Sequence, residues 1–144
     1  MKLIITIITF VWVGMVLGIS FVEAPLKFRA PNITRQLGLG IGKIVFGALN
    51  KIEIVFSTVL IISFLLGEFS LKYNFVYGLV LFLLCIQTIW LIPVLNRRAD
   101  RIITGQEVSK TYHHILFIIL EVLKISLLLI AGIRFLKAFG LPTI

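Results

Sequence analysis

A single cysteine, six acidic residues and four prolines are spread over 144 residues, and each scarcity narrows what the chain can be. With only Cys85, no disulfide forms within one chain, and no cysteine cluster is available to hold a metal. Cys85 lies in a long apolar run and reads as a packed, inert thiol. Charged residues make up 14% of the chain against 60% hydrophobic, which leaves too little polar surface for a soluble domain of this length. There is no CxxC, HxxxH or HExxH spacing, no GK[ST] and no dinucleotide fingerprint. No serine with a base, and no carboxylate pair in a soluble cleft, can be assembled, so no catalytic residue is assigned. A low-complexity tail and internal repeats are also missing.

What the chain has in abundance is apolar length. Its mean hydropathy is +1.13. Four runs dominate, at residues 3–22, 44–66, 75–95 and 115–133. Roughly 20 apolar residues in a helix cross a hydrocarbon core of about 30 Å. The expectation is therefore an all-α, polytopic membrane protein, a single domain over residues 1–144 folded as a four-transmembrane-helix bundle. Its helices are expected near 3–23, 41–67, 74–96 and 110–138. The first run follows Lys2 as a signal peptide would, but it exceeds the roughly 7–15 residues of a signal core, and Pro25 follows the candidate cut. It is read as a retained helix.

Basic residues set the orientation. With four spans, Lys2, Lys72, Arg134 and Lys137 share a side with the turn expected around Glu68 to Asn74. Lys27, Arg29, Arg35, Arg97, Arg98, Arg101 and Lys110 lie opposite, and Lys43 widens the margin. The positive-inside rule then puts the richer side in the cytoplasm of an inner-membrane protein, with both termini outside. The net charge of +8 reads as topology and contact with anionic headgroups, so membrane lipids are the expected partners. A second copy or another membrane protein is a further candidate partner. Nucleic acid is not one, because the basic residues are scattered without a recognition motif.

The stretch at 23–42 contains Pro25 and Pro31 and reads as a surface loop, with Leu26, Phe28 and Leu37 dipping toward lipid. Gly38, Gly42 and Ala48 suit close helix packing better than an anion cradle. The Asn32-Ile33-Thr34 sequon matters only in a glycosylating lumen, which the expected topology denies it. Gly105 reads as the turn of the third connection.

The polar groups in apolar runs need explanation. On the second helix Lys43, Asn50, Glu53 and Ser57 fall within roughly 80° of one another, with Lys51 off the stripe. On the fourth, His113, Lys124, Phe117, Glu121 and His114 fall within roughly 100°. Depth agrees: Glu53 lies roughly 14 Å above Ile44, Glu121 roughly 15 Å above Thr111, and Gln87 roughly 12 Å from Leu95. An ionisable group at a helix centre costs roughly 2.5–3.5 kcal/mol on insertion scales, so these groups should face one another rather than lipid. Glu121 pairs locally with Lys124 at (i, i+3), with His114 a second candidate, whereas Glu53 needs Gln87 or a residue of the fourth helix. The candidate intramembrane polar site is thus Glu53, Asn50, Gln87, His114, Glu121 and Lys124. Nitrogen and oxygen donors from His114, Glu121 and Glu53 match no metal spacing, so no metal site is assigned. Two adjacent histidines on one helix do not suit haem, and no cofactor can be named.

The run WVGMVLGISFVEAPLKFRAP followed by GLGIGKIVFGALNKIE resembles small four-helix membrane proteins of the transmembrane protein 205-like type. Gly14, Gly18, Ala24, Pro25, Phe28, Gly38, Gly42 and Phe46 carry the likeness, which covers about the first third of the chain. It implies a four-helix membrane fold and no particular chemistry. Two functions remain open. In one, the polar layer binds or translocates a proton, ion or small solute; in the other, the same groups lock a structural or partner-binding subunit. An enzyme acting on a lipid or quinone ranks third.

Overall fold

In lipid no water satisfies backbone N–H and C=O groups, so a chain of this composition must close its hydrogen bonds within helices or a barrel. The computed structural model, which describes residues 2–66, 71–109 and 112–138, resolves this as helices, with no strand among the described residues. The chain is a multi-pass membrane protein built as an all-α four-helix bundle. Its spans are α1 (Leu3–Arg29), α2 (Arg35–Leu65), α3 (Phe75–Ile103) and α4 (His113–Lys137). The turn expected around Glu68 to Asn74 falls largely outside the described residues, as do Lys110, Thr111 and residues 139–144.

Contacts give the directions. Lys43 at the start of α2 meets Asp100 at the end of α3, at 2.6 Å. Ser20, late in α1, reaches Glu121 on α4, while Phe10 and Thr9, early in α1, border Gly132. Residue numbers rise along one helix as they fall along the other, so each of these pairs is antiparallel. The core is formed by Ile5, Trp12, Val16, Leu49, Leu60, Val80, Leu84, Leu128 and Phe135.

The exterior inverts the soluble pattern. Ile44 is 75% exposed and Ile89 76%, whereas Glu53 is 3%, Glu121 1% and Lys124 0%. Apolar side chains face the lipid and charges face the bundle interior, as the cost of an ion in hydrocarbon requires. Cys85 belongs to the outer surface, which corrects the packed-thiol expectation. A small apolar side chain is equally at ease against protein or lipid, so its run cannot tell the two apart.

Two prolines shape the helices without ending them. In α1, residues Leu17–Glu23 are wound as a π-helix, and the Ala24 N–H bonds the Ile19 carbonyl, one residue further back than in an α-helix. In α3, Gln87–Leu91 are wound the same way, with the Ile92 N–H on the Gln87 carbonyl. Pro25 and Pro93 are the next residues. A proline ring collides with the carbonyl four residues before it, and widening that turn by one residue relieves the collision. The connection at 23–42 is therefore no extended loop: helix continues to Arg29 and resumes at Arg35. The true turn is short, with Asn32 at φ 64° and the Thr34 hydroxyl capping α2 by accepting from the Leu37 N–H. Asparagine tolerates that left-handed backbone better than most residues.

Close approach in this hairpin comes from glycine. A Cβ on Gly38 would strike the Phe28 ring, and one on Gly42 would lie 2.9 Å from Lys27 Nζ. Ala48 stands apart from this contact, on the exposed surface. Helix α3 runs past the expected end at residue 96, to Ile103, and its last two turns carry Arg97, Arg98, Asp100 and Arg101. Gly105, at φ 81°, ends it as the C′ residue of a Schellman turn, with the Gln106 N–H on the Arg101 carbonyl.

Candidate functional site

The polar stripes of α2 and α4 meet in the bundle interior, and all four helices contribute to what forms there. Lys124 of α4 is the hub. Its ammonium donates to Glu53 Oε1, to Gln87 Oε1 at 2.8 Å and to Glu121 Oε1 at 2.9 Å. An ammonium has three protons, and three acceptors take them. Gln87 Nε2 donates to Glu121 Oε1 at 2.8 Å. The Trp12 indole N–H donates to Glu53 Oε1, also at 2.8 Å. Ser20 adds a longer contact of 3.4 Å to Glu121 Oε2. Glu53 therefore finds its cation across the bundle on α4, and Glu121 finds the same one a turn away.

The two carboxylates share a single ammonium, so the cluster carries one surplus negative charge when all three groups are ionised. Their second oxygens are under-used. Glu121 Oε2 has only the Ser20 contact, and no donor to Glu53 Oε2 is found among the described residues. An extra proton or a small cation placed there would neutralise the cluster and occupy lone pairs that hydrocarbon leaves bare.

The remaining candidates lie nearby in different roles. Asn50, one turn before Glu53, donates to the Thr88 hydroxyl at 2.8 Å and ties α2 to α3 beside the cluster. His114 does not join the cluster: it is exposed and lines the cavity described next. It shares a helix face with Glu121 but lies two turns before it and nearly three before Lys124, roughly 10 and 15 Å along the axis, so depth keeps it out of the cluster. His113 stacks edge-on with Trp90, ring centroids 6.1 Å apart. No set of three His, Cys, Asp or Glu side chains that could hold a metal comes together among the described residues.

Trp12 and Ser20 are neighbours of the cluster that charge patterns overlook. Trp12 sits in an uncharged run, and its one polar atom hides in a large apolar side chain. The available signal is that a buried indole N–H needs an acceptor, and α1 offers no carboxylate at that depth. Thr9 makes a second interhelical bond, 2.8 Å from the Tyr77 hydroxyl.

A cavity of about 630 Å³ leads to the cluster. Its walls are mainly apolar, with Phe21, Phe46, Ile92, Leu95, Phe117 and Ile118 among them, and Glu121 stands at its inner end. Lys27, Arg35, Lys43 and Arg98 line the other end, at the basic side of the bundle. Lys27 pairs with Glu23 at 3.3 Å and lies over the Phe46 ring, 5.5 Å from its centroid. The π-wound turn of α1 borders this space through Ser20 and Phe21, and Ile92, the residue after the π-wound turn of α3, lines it as well. Locally widened turns recur at functional sites, because they aim side chains that a regular helix would turn away.

No family model matches the chain, and neither a curated protein nor a solved structure is significantly similar to it.

Proposed function

We propose that this protein binds or translocates a proton or small solute within the membrane, with the Glu53–Gln87–Glu121–Lys124 cluster as its binding layer. One observation carries the reading: Glu121 belongs both to the buried cluster and to the lining of a cavity that reaches the basic end of the bundle. A cluster serving only to lock helices has no need of access. Here the surplus negative charge sits where a path from one membrane face arrives. A proton is the smallest species that neutralises it, and Glu121 is the carboxylate placed to receive it. The basic end faces the cytoplasm of the inner membrane in this reading, following the bias of positive residues. The likeness of the first third to transmembrane protein 205-like chains adds only a four-span architecture.

The full use of all three Lys124 protons supports a second reading, a structural or partner-binding bundle with no transport or catalysis. Glu121→Gln separates the two. The substitution keeps the shape and removes one carboxylate. In the binding reading, the purified variant folds and melts normally, but its proteoliposomes lose the proton uptake that wild type shows after an external acid pulse, followed with an entrapped pH dye. Equal uptake by wild type and variant would discard the binding reading and leave the structural lock.

A further inference from the structure

The inner end of the vestibule that leads to the cluster presents a strong hydrogen-bond acceptor in apolar surroundings. Glu121 is the carboxylate among the described residues that line the space, and it is 1% exposed. Its two oxygens are used unequally. Oε1 accepts from Gln87 and Lys124, neither of which is among those lining residues. Oε2 has the 3.4 Å contact from Ser20, which does line the space. Oε2 is therefore the oxygen turned to the vestibule, and no closer donor to it is found among the described residues. A buried charged acceptor left this way is costly, so an occupant that brings a donor is favoured. Aromatic rings stand around it. Phe46 and Phe117 meet edge-on, ring centroids 5.5 Å apart, and Phe21 joins them on the wall. The cavity's size, about 630 Å³, lies within the roughly 300–1,000 Å³ of small-ligand sites. Its side is open to the bilayer, since Phe21 is 37% exposed and Ile118 40%.

Three requirements follow for an occupant. It must donate to Oε2, it must suit aromatic walls, and it must reach the side opening through hydrocarbon, which a fixed charge makes expensive. We propose that the vestibule binds a neutral phenolic amphiphile, whose hydroxyl donates to Glu121 Oε2 and whose ring lies among Phe21, Phe46 and Phe117. Its apolar tail leaves past Ile118 into the leaflet. The proposal rests on the reading of the vestibule as the way to the cluster and names its occupant. The ring draws electron density from a phenolic oxygen, so its O–H is a stronger donor than an alkanol's, and O–H···O⁻ bonds are short and strong. The ring also gains from edge-to-face contact with phenylalanine beyond the area it buries. The basic rim takes no part in this selection.

The test is equilibrium binding of tritiated 4-octylphenol to the full-length protein in phosphatidylcholine nanodiscs, over the background of empty discs. Saturable binding of one molecule per protein is expected. 4-Octylanisole, the methyl ether, has the same ring and tail but no donor, and should compete about tenfold less well, the scale of a lost charge-assisted hydrogen bond. That comparison needs no variant. 1-Dodecanol, which lacks the ring, and octyltrimethylammonium, which carries a fixed charge, should also compete poorly. Phe21→Leu keeps the wall apolar but removes one ring, and should weaken binding about two- to tenfold. Phe21 is partly exposed, so this variant should fold, and unchanged melting confirms that it does. Glu121→Gln gives a sharper readout. Lys124 and Gln87 both donate to Oε1, so the amide oxygen of the variant takes that place and its NH₂ turns to the vestibule. An NH₂ donates to phenol and ether alike, so the preference for the phenol should vanish. The proposal is overturned by no saturable binding, by equal competition from the ether, the alkanol or the cation, or by a preference that survives Glu121→Gln. If 4-octylphenol does not bind while Glu121-dependent proton uptake persists, the ligand is wrong and the proton site stands. If it binds with the expected preference but uptake does not depend on Glu121, the ligand stands and the proton site falls.

Discussion

Lys124 has no exposed surface and holds two carboxylates and an amide at once, so its removal should be more harmful than that of either acid. Lys124→Met leaves Glu53 and Glu121 facing each other with no cation, and breaking a buried ion pair from one side costs about 3–5 kcal/mol. The combination Glu53→Gln, Lys124→Met, Glu121→Gln removes every charge together and should recover most or all of that loss, because neutral replacement of buried ions is often harmless. Thermal unfolding in detergent checks both; a triple variant as unstable as the single one would show that the charges are not the cause. Trp12→Phe keeps the ring's packing against Phe56 but removes the N–H that Glu53 accepts. Hydrogen bonds to charged groups contribute about 1.5–3 kcal/mol, so a loss in that range is expected. A melting temperature unchanged from wild type would mean that Glu53 has another donor.

At the scale of elements, the hairpin of α1 and α2 depends on where glycine is present rather than on how much there is. Gly38 and Gly40 are two residues apart on one helix, yet only Gly38 is pressed against a neighbour. Alanine generally improves a helix over glycine by up to about 1 kcal/mol. Gly40→Ala should therefore be neutral or stabilising, since nothing lies within 4 Å of the added Cβ. Gly38→Ala drives the new methyl into the Phe28 ring, and overpacking of this kind typically costs about 1–3 kcal/mol, which outweighs the propensity gain. Opposite shifts in unfolding midpoint for the two variants are the expected result. Phe28 also borders the vestibule, so Gly38→Ala should disturb that cavity as well as the hairpin. The surface pair Lys43–Asp100 belongs to the same region but is 39% and 53% exposed, and pairs of that kind contribute about 0–1 kcal/mol. It positions the ends of α2 and α3 more than it stabilises them.

For the whole molecule, orientation follows from charges that no single contact decides. Basic residues crowd the ends of α1 and α3 and the start of α2, the same end at which the vestibule begins. A reporter fused after Ile144 should be active only outside the cytoplasm, by the positive-inside rule. A cytoplasmic signal from that fusion would invert the protein and turn the basic end of the bundle to the opposite membrane face. The helix count and the buried cluster would be unaffected.

Much of this organisation can be read from the chain alone. Apolar length and the need to satisfy backbone groups in lipid dictate four helices, and the 3.6-residue period puts Asn50, Glu53 and Ser57 on one stripe and Glu121 with Lys124 on another. Rise per residue brings Gln87 to a similar depth. Periodicity is silent, however, about which stripe faces which. Only the packed bundle makes Lys124 shared between Glu53 and Glu121, brings the Trp12 N–H from an uncharged helix, and leaves His114 on the cavity wall outside the cluster. It alone decides that Pro25 and Pro93 widen their helices instead of ending them, because that depends on whether the next turn has something to pack against. Cys85 marks the limit most plainly. In a bilayer the outside is as apolar as the core, so hydropathy identifies a residue that leaves water without saying whether protein or lipid receives it.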